Sequence, residues 1–162
     1  MRYKLPIEMS VKIVTLITFL IPVVIFYWFY TLEILLVGGL ISTLLLILFV
    51  VVYTYTPKEV VLERSGLVIK KVLGQVVVPY DKIKEVFFFE RFNWKTIRVF
   101  GSGGLFGWFG LFYIEKIGKV WVYARRRKDL VLIKADKNYL IAPEDPKRFI
   151  ENLKTMINKK EK

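Results

Sequence analysis

The stretch FYWFYTLEILL, residues 26–36, joins two long apolar runs and contains the one charged residue between them, Glu33. Upstream, residues 13–30 carry no charge over 18 positions, and the residues that follow Glu33 add 20 more. A helix of 18 residues is about 27 Å long, close to the ~30 Å hydrocarbon core of a bilayer. The aromatic residues are typical of the belt at membrane interfaces. The sequence therefore predicts two membrane-spanning helices, 13–30 and 34–55, joined by an outer turn at 31–33.

Positive charges flank the two apolar runs but are absent from the turn. Arg2, Lys4 and Lys12 precede the first run, and Lys58 follows the second. Because Lys and Arg accumulate in the cytoplasmic loops of membrane proteins, both termini are predicted to be cytoplasmic, including the N-terminal segment 1–12. The protein is then integral to the cell membrane. A pair of buried core helices is the alternative, but consecutive apolar runs of this length are rare in soluble domains.

Small residues lie inside the second run at a spacing of four. Gly38 with Ser42, and Gly39 with Thr43, would let another helix approach closely. That helix belongs either to a second copy, which gives a homo-oligomer, or to the first run of the same chain, which the sequence favours. No acidic or basic side chain lies within either run, so transport by the hairpin alone is disfavoured.

The charge of the chain is concentrated outside the apolar runs. The sequence has 26 Lys and Arg against 14 Asp and Glu, a net charge of +12, although 55% of its residues are hydrophobic. It contains no cysteine and no histidine, which excludes disulfides, thiolate metal sites and histidine-containing catalytic triads. We therefore expect no metal and no cofactor. Scarce Asn and Gln beside abundant Lys and Glu are typical of thermophilic proteins.

Residues 56–162 are predicted to form one cytoplasmic domain close to the membrane, because residues 56–58 are too short to be a flexible tether. Short runs rich in β-branched and aromatic residues alternate there with turn residues. The predicted strands are 59–64, 67–72, 75–79, 84–91, 96–100, 111–115, 119–125, 130–135 and 139–142.

The end of the chain changes to helical patterning. Asp145 can cap a helix whose first residue is Pro146, and apolar residues then recur at spacings of three and four. These residues are Phe149, Ile150, Leu153, Met156 and Ile157. The sequence predicts an amphipathic helix at about 146–158 that closes a mainly antiparallel β barrel or curved sheet.

The segments ERSGLVIKK (63–71) and VVVPYDKIKEV (76–86) contain a strand, a Ser-Gly turn, a second strand and an apolar-Pro-Tyr sequence. Together with the loop 101–110 and the ending IAPEDPKRF (141–149), they resemble bacterial and archaeal membrane proteins with a pleckstrin-homology-like (PH-like) domain, over about residues 57–157. The resemblance implies a PH-like barrel with a C-terminal helix, often attached to membrane helices. It supplies no catalytic residue and no lipid-binding consensus.

The loop GSGGLFGWFG, residues 101–110, has the glycine content of a phosphate-binding turn. A dinucleotide fingerprint requires Gly-x-Gly-x-x-Gly before a helix, but Phe106 occupies the third glycine position and strand-like residues follow. Two other interpretations are open. Either the glycines permit a tight corner and the aromatic residues pack within their own domain, or Phe106, Trp108 and Phe109 form an exposed tip that contacts the bilayer.

Two basic clusters lie in the predicted domain. Contact with anionic lipid and a solvated basic rim are both consistent with them. Because alternate residues of a strand face opposite ways, the arginine run cannot all engage one headgroup unless its strand ends there. The clusters consist of Arg125, Arg126, Arg127 and Lys128, and of Lys70 and Lys71. A nucleic-acid partner is disfavoured for a domain anchored to a membrane.

The leading hypothesis is a non-enzymatic integral membrane protein. It presents a basic PH-like domain at the cytoplasmic membrane face for protein assembly or recognition, with anionic lipid contact as support. The alternative is an accessory subunit of a transporter or membrane enzyme, which co-purification of a stoichiometric partner would favour. An independent enzyme would have to use Asp, Glu, Lys or Tyr, and no spacing of these residue types indicates a site.

Overall fold

The computed structural model describes residues 1–91 and 96–160. Within them the chain forms helices α1 (Met9–Thr31), α2 (Leu35–Thr54) and α3 (Pro146–Lys160), and a 3₁₀ turn at Tyr80–Lys82. The strands are β1 (Arg2–Lys4), β2 (Pro57–Leu62), β3 (Leu67–Lys71), β4 (Gln75–Val78), β5 (Glu85–Arg91), β6 (Thr96–Gly103), β7 (Trp108–Ile114), β8 (Gly118–Ala124), β9 (Lys128–Lys134) and β10 (Asn138–Ile141).

Helices α1 and α2 form a hairpin that is largely exposed. Their most apolar windows have mean hydropathies of 2.3 and 2.9, and only 11% and 17% of those windows is buried within the protein. A core helix of a soluble domain would be mostly buried. Both helices are therefore long and apolar enough to cross a membrane.

The two helices pack on each other through small residues. Gly38 lies so close to Phe29 of α1 that a Cβ at this position would clash with the phenylalanine side chain. Ser42 donates a hydrogen bond to the carbonyl oxygen of Pro22 at 2.9 Å. Small side chains allow this close approach. The hairpin returns the chain to the side from which it started.

The segment before α1 belongs to the same sheet as the segment after α2. The sequence predicts that residues 1–12 are cytoplasmic but predicts no secondary structure for them. In the structure, β1 pairs antiparallel with β2 and places Tyr3 opposite Val60. Polar and apolar residues alternate here, so Tyr3 and Leu5 are buried. The Tyr3 ring packs edge-on against Phe149 of α3, with ring centroids 5.0 Å apart. The first strand therefore helps to close the core.

The described strands form two sheets. One has the order β1-β2-β3-β4 and the other the order β5-β9-β10-β8-β7-β6. Most neighbours are antiparallel, while β8 and β10 are parallel, with Val122 opposite Leu140. Neither sheet closes into a barrel within the described residues. The predicted fold class is confirmed in its curved-sheet form.

The main core lies between the two sheets and α3. Ile69 of β3, Ile133 of β9 and Phe149 of α3 are fully buried in it. The backbone N–H of Arg148 donates to the Asp145 carboxylate at 3.1 Å, which is the cap that the sequence predicts. The C-terminal helix therefore covers the core through its apolar face.

Candidate membrane-surface interface

The glycine-rich loop is the end of the β6–β7 hairpin. Gly101 lies opposite Gly110, and Gly103 opposite Trp108, so both strands extend further into the loop than predicted. Gly101 and Gly110 have φ values of +112° and +120°, and a Cβ on either would overlap the backbone of the other strand. Glycine is the residue that tolerates this approach. These two glycines therefore have a structural role.

The tip of this hairpin, residues 104–107, contacts both helices. The backbone N–H of Phe106 donates to Thr15 Oγ1 of α1 at 2.9 Å. The Phe106 ring meets Tyr53 of α2 edge-on, with centroids 5.2 Å apart. Thr15, a polar residue in an apolar run, thus serves as an acceptor for the loop. Sequence reasoning considered the domain and the bilayer as partners of this loop and missed the helices of the same chain.

The three aromatic residues of the loop do not form one exposed tip. Phe109 is buried, with 5% of its surface exposed, and Phe106 and Trp108 are half-buried. The Arg127 guanidinium lies over the Trp108 ring, 5.3 Å from its centroid, a favourable cation–π arrangement. Contact of these residues with the bilayer stays a prediction.

The arginine segment is tied to the beginning of α1 through Glu8. The Glu8 N–H donates to the carbonyl oxygen of Arg125 at 2.9 Å, and the Glu8 carboxylate accepts the N–H of Arg127 at 2.9 Å. Burial would raise the pKa of Glu8, but hydrogen bonds from Arg127 and Ser10 and the charges of Arg127 and Lys128 hold it below the ordinary value of 4.5. Glu8 is therefore ionised at neutral pH.

The residues of the arginine cluster point in different directions. Arg126 donates to the carbonyl oxygen of Pro143 at 2.7 Å and lies 3.9 Å from Asp129, so it binds its own domain. Lys128 is exposed. Arg125 lines a cleft, where burial lowers its pKa. The cluster is not one converging site.

A second turn contacts the hairpin at the end of α2. In this β3–β4 turn, residues 72–74, the N–H of Val72 donates to the carbonyl oxygen of Thr56, and that of Leu73 to Thr54, both at 2.9 Å. The Leu73 side chain is 69% exposed. These backbone bonds satisfy carbonyl groups at the helix end. Because the contact is made by backbone groups, no side-chain motif in the sequence predicts it.

Lys70 and Lys71 lie just before this turn. Lys70 forms a salt bridge with Glu59 at 3.5 Å, and the Lys71 ammonium lies 5.1 Å from the centre of the Tyr55 ring. Both lysines line the same cleft as Arg125. The structure thus brings together parts of the two predicted clusters.

This junction cleft has a volume of about 490 Å³ and lies between the N-terminal segment, β2 and β3. Two further cations line it, Lys4 and Lys58. Sequence reasoning used both only as topology signals. The alternation of polar and apolar residues at 2–5 could have indicated β1 and hence brought Lys4 next to β2.

The two pairs of small residues on α2 face different ways. Gly38 and Ser42 are buried against α1, whereas Gly39 has no neighbour within 4 Å of a Cβ and Thr43 is exposed. The first pair packs the hairpin. A role of Gly39 and Thr43 in oligomerisation stays a prediction.

Strand β6 is an edge of the six-stranded sheet and carries exposed apolar side chains, which sequence reasoning missed. Ile97, Val99 and Phe100 are 63%, 56% and 73% exposed. Within the described residues β6 pairs with β7 alone. The register of β6 shifts between Arg98 and Phe100, and apolar residues exposed on an edge strand are unusual in a protein without a partner.

Comparison with known families identifies the domain but not the helices. The family described as "Bacterial PH domain" matches residues 58–157, which include the strands from β3 to β10, the junction cleft lysines 70 and 71, and most of α3. The hairpin and β1 lie outside the match. No curated protein and no solved structure matches the chain significantly. The chain belongs to the family of bacterial PH domains.

Proposed function

We propose that this chain is a non-enzymatic membrane protein whose PH-like domain recognises a protein partner at the cytoplasmic membrane face. Helices α1 and α2 span the cell membrane, and both termini are cytoplasmic. Anionic lipid supports the domain, and a partner protein binds its exposed edge. The observation that carries this proposal is the apolar edge of β6 on a domain whose position is fixed against the hairpin.

Four attachments fix that position. They are the β1–β2 pairing, the β3–β4 turn on α2, the tip 104–107 on both helices, and the Glu8 contact with the arginine segment. A domain held at several points cannot turn freely on a linker. The surface offered to a partner therefore has one orientation relative to the membrane.

The partner that suits β6 is an extended segment of another protein. An edge strand offers backbone N–H and C=O groups to an added strand, and side chains provide specificity. Val99 and Phe100 supply the apolar contacts here. Because PH domains generally bind lipids or proteins, a protein at β6 and lipid at the membrane side agree with the family.

The buried tyrosines of the domain, Tyr80 and Tyr123, are not suited to act as catalytic bases. Burial raises the pKa of Tyr123 to about 12, and burial together with Glu63 raises that of Tyr80 to about 12. Both phenols are neutral at physiological pH and cannot act as ionised bases. Among the described residues, no cluster of three carboxylates could hold a metal ion.

A photo-crosslinking amino acid at Val99 of the full chain in intact cells tests the partner surface. We expect one protein adduct of defined mass, identified by mass spectrometry after purification in mild detergent. The matched control places the same amino acid at Lys119, which is exposed on β8. Phe100→Asp should abolish the adduct at Val99. Equal adducts at both positions, or none at Val99, contradict the proposal.

Crosslinking also distinguishes the proposed function from the alternative, an accessory subunit of a transporter or membrane enzyme. Leu40 of α2 is 66% exposed on the hairpin. If crosslinking at Leu40 captures a membrane protein at stoichiometric yield while Val99 captures none, the chain is an accessory subunit of a membrane complex.

A further inference from the structure

The junction cleft holds more positive charge than its own carboxylates can balance. Five cationic side chains and two carboxylates line it. Lys70 pairs with Glu59 at 3.5 Å, and the Glu144 carboxylate accepts the backbone N–H of Lys4 at 3.4 Å. The other cations of the cleft have no carboxylate partner among the described residues. The cleft is therefore suited to an anion.

Arg125 is the cation that most needs an acceptor. Its side chain is half-buried, and its Nε is enclosed without a hydrogen-bond partner in the described part of the chain. Because Arg125 lines the cleft, a phosphate there can accept from the terminal N–H groups of its guanidinium, whose planar fork fits this group.

The cleft lies where the domain meets the helical hairpin. Ile7 and Lys58 line it, while α1 begins at Met9 and α2 ends at Thr54. The headgroup region extends about 5–8 Å beyond each side of the hydrocarbon core. A cleft this close to both helix ends opens at headgroup level when the hairpin spans a bilayer.

We infer that the junction cleft binds one phosphate group, carried by the headgroup of an anionic lipid; the inference rests on the proposed insertion of the hairpin. Lys58, Lys71 and Arg125 contact the phosphate, and the apolar residues 5–7 adjoin the glycerol and upper acyl carbons. The volume of about 490 Å³ falls within the ~300–1,000 Å³ of small-molecule sites. The site requires β1, because residues 4–7 form one of its walls.

Native mass spectrometry of the full chain in neutral detergent tests this site. With equal amounts of phosphatidylglycerol and phosphatidylcholine present, we expect retention of one phosphatidylglycerol, because the choline charge opposes the lysines. Lys71→Gln and Arg125→Gln should each weaken its binding about fivefold. Lys119→Gln is the matched control, since it removes the same charge from an exposed strand position outside the cleft, and it should leave binding unchanged.

Two further arms make the outcome specific. Soluble glycerol 3-phosphate carries the phosphate without acyl chains; if it binds as tightly as phosphatidylglycerol, the phosphate site stands and lipid as its occupant is wrong. Equal retention of both lipids, or equal weakening by Lys119→Gln, overturns the site. Lys58→Gln changes an exposed residue and replaces Arg125→Gln if circular dichroism shows that variant unfolded. No protein partner enters this measurement, so it can succeed where the β6 surface fails.

Discussion

The β3–β4 turn and the tip 104–107 both contact the helical hairpin, but through different atoms. The first donates two backbone N–H groups to carbonyl oxygens at the end of α2 and leaves the Leu73 side chain exposed. The second depends on the Thr15 hydroxyl and the Tyr53 ring. It also needs Gly101 and Gly110, because the two strands of its hairpin approach too closely for a Cβ at either position. Attachment by backbone tolerates sequence change, whereas attachment by side chains and glycines constrains it.

The largest expected effect concerns the side of the membrane on which both turns lie. The chain has no native cysteine, so single cysteines report their location. Thr31→Cys should react with an impermeant thiol reagent in intact cells, and Leu73→Cys should react only after permeabilisation. Labelling of Leu73→Cys with protection of Thr31→Cys would reverse the orientation and remove any cytoplasmic partner.

Gly101→Ala should disrupt the side-chain-dependent attachment most strongly. The new Cβ combines a disfavoured backbone conformation with overlap against the opposite strand, and we expect a loss of about 3 kcal/mol in the free energy of unfolding. Gly118→Ala is the control, because its φ is +86° but nothing lies within 4 Å of the new Cβ. It should cost about 1 kcal/mol. Denaturant unfolding of the full chain in detergent measures both, and equal losses would contradict the crossing of Gly101 and Gly110.

Thr15→Val removes the acceptor of the Phe106 N–H without changing the shape of the side chain. We expect the free energy of unfolding to fall by about 1–2 kcal/mol and hydrogen exchange at the Phe106 amide to become faster. Thr18→Val is matched, since the Thr18 hydroxyl donates to Val14 of its own helix at 2.7 Å. If both variants exchange alike, Thr15 does not hold the tip.

Acid should weaken the attachment through Glu8. The pKa of Glu8 is lowered in the folded chain, so its contribution to stability is complete above the ordinary value of 4.5 and is lost as pH falls through the folded pKa. Melting temperatures between pH 7 and pH 3 should therefore fall less for Glu8→Gln than for the native chain. Glu90→Gln, at an exposed position on β5, should keep the native pH dependence; parallel curves for all three proteins would show that Glu8 contributes nothing.

The smallest effect is expected at the backbone-attached turn. Leu73→Ala keeps the backbone N–H that donates to the carbonyl oxygen of Thr54 and removes an exposed side chain. The free energy of unfolding should therefore change by less than about 0.5 kcal/mol. A loss as large as that of Thr15→Val would show that Leu73 attaches the turn through its side chain, and the contrast between the turns would disappear.

Features of the fold that follow local sequence patterns could be predicted, whereas contacts between residues far apart in the chain could not. Strands β2 to β10 and α3 follow local patterns of alternation, turn residues and the Asp145 cap, and the apolar runs identify the two long helices. The three-residue β1 is too short to stand out, and its strand character depends on a partner beyond the hairpin. Glu8 meets Arg127 across more than a hundred positions, a pairing that no local pattern contains. The lining of the junction cleft comes from five separate stretches of the chain, residues 4–7, 58–59, 70–71, 125 and 144, so sequence patterns identified its basic residues only in part.

If the hairpin spans the bilayer as proposed, the pairing of β1 with β2 makes correct membrane insertion a condition for completing the fold. The ladder forms only if both ends of the hairpin emerge on one side. If a single helix crossed the membrane, the bilayer would separate Tyr3 from Val60, and Phe149 would lose its aromatic neighbour. During synthesis at ~5–20 residues per second, β1 waits roughly 3–12 s for β2. With the topology proposed above, the first strand therefore reports on insertion, since a misinserted chain would lack both the β1–β2 ladder and the contact between Tyr3 and Phe149.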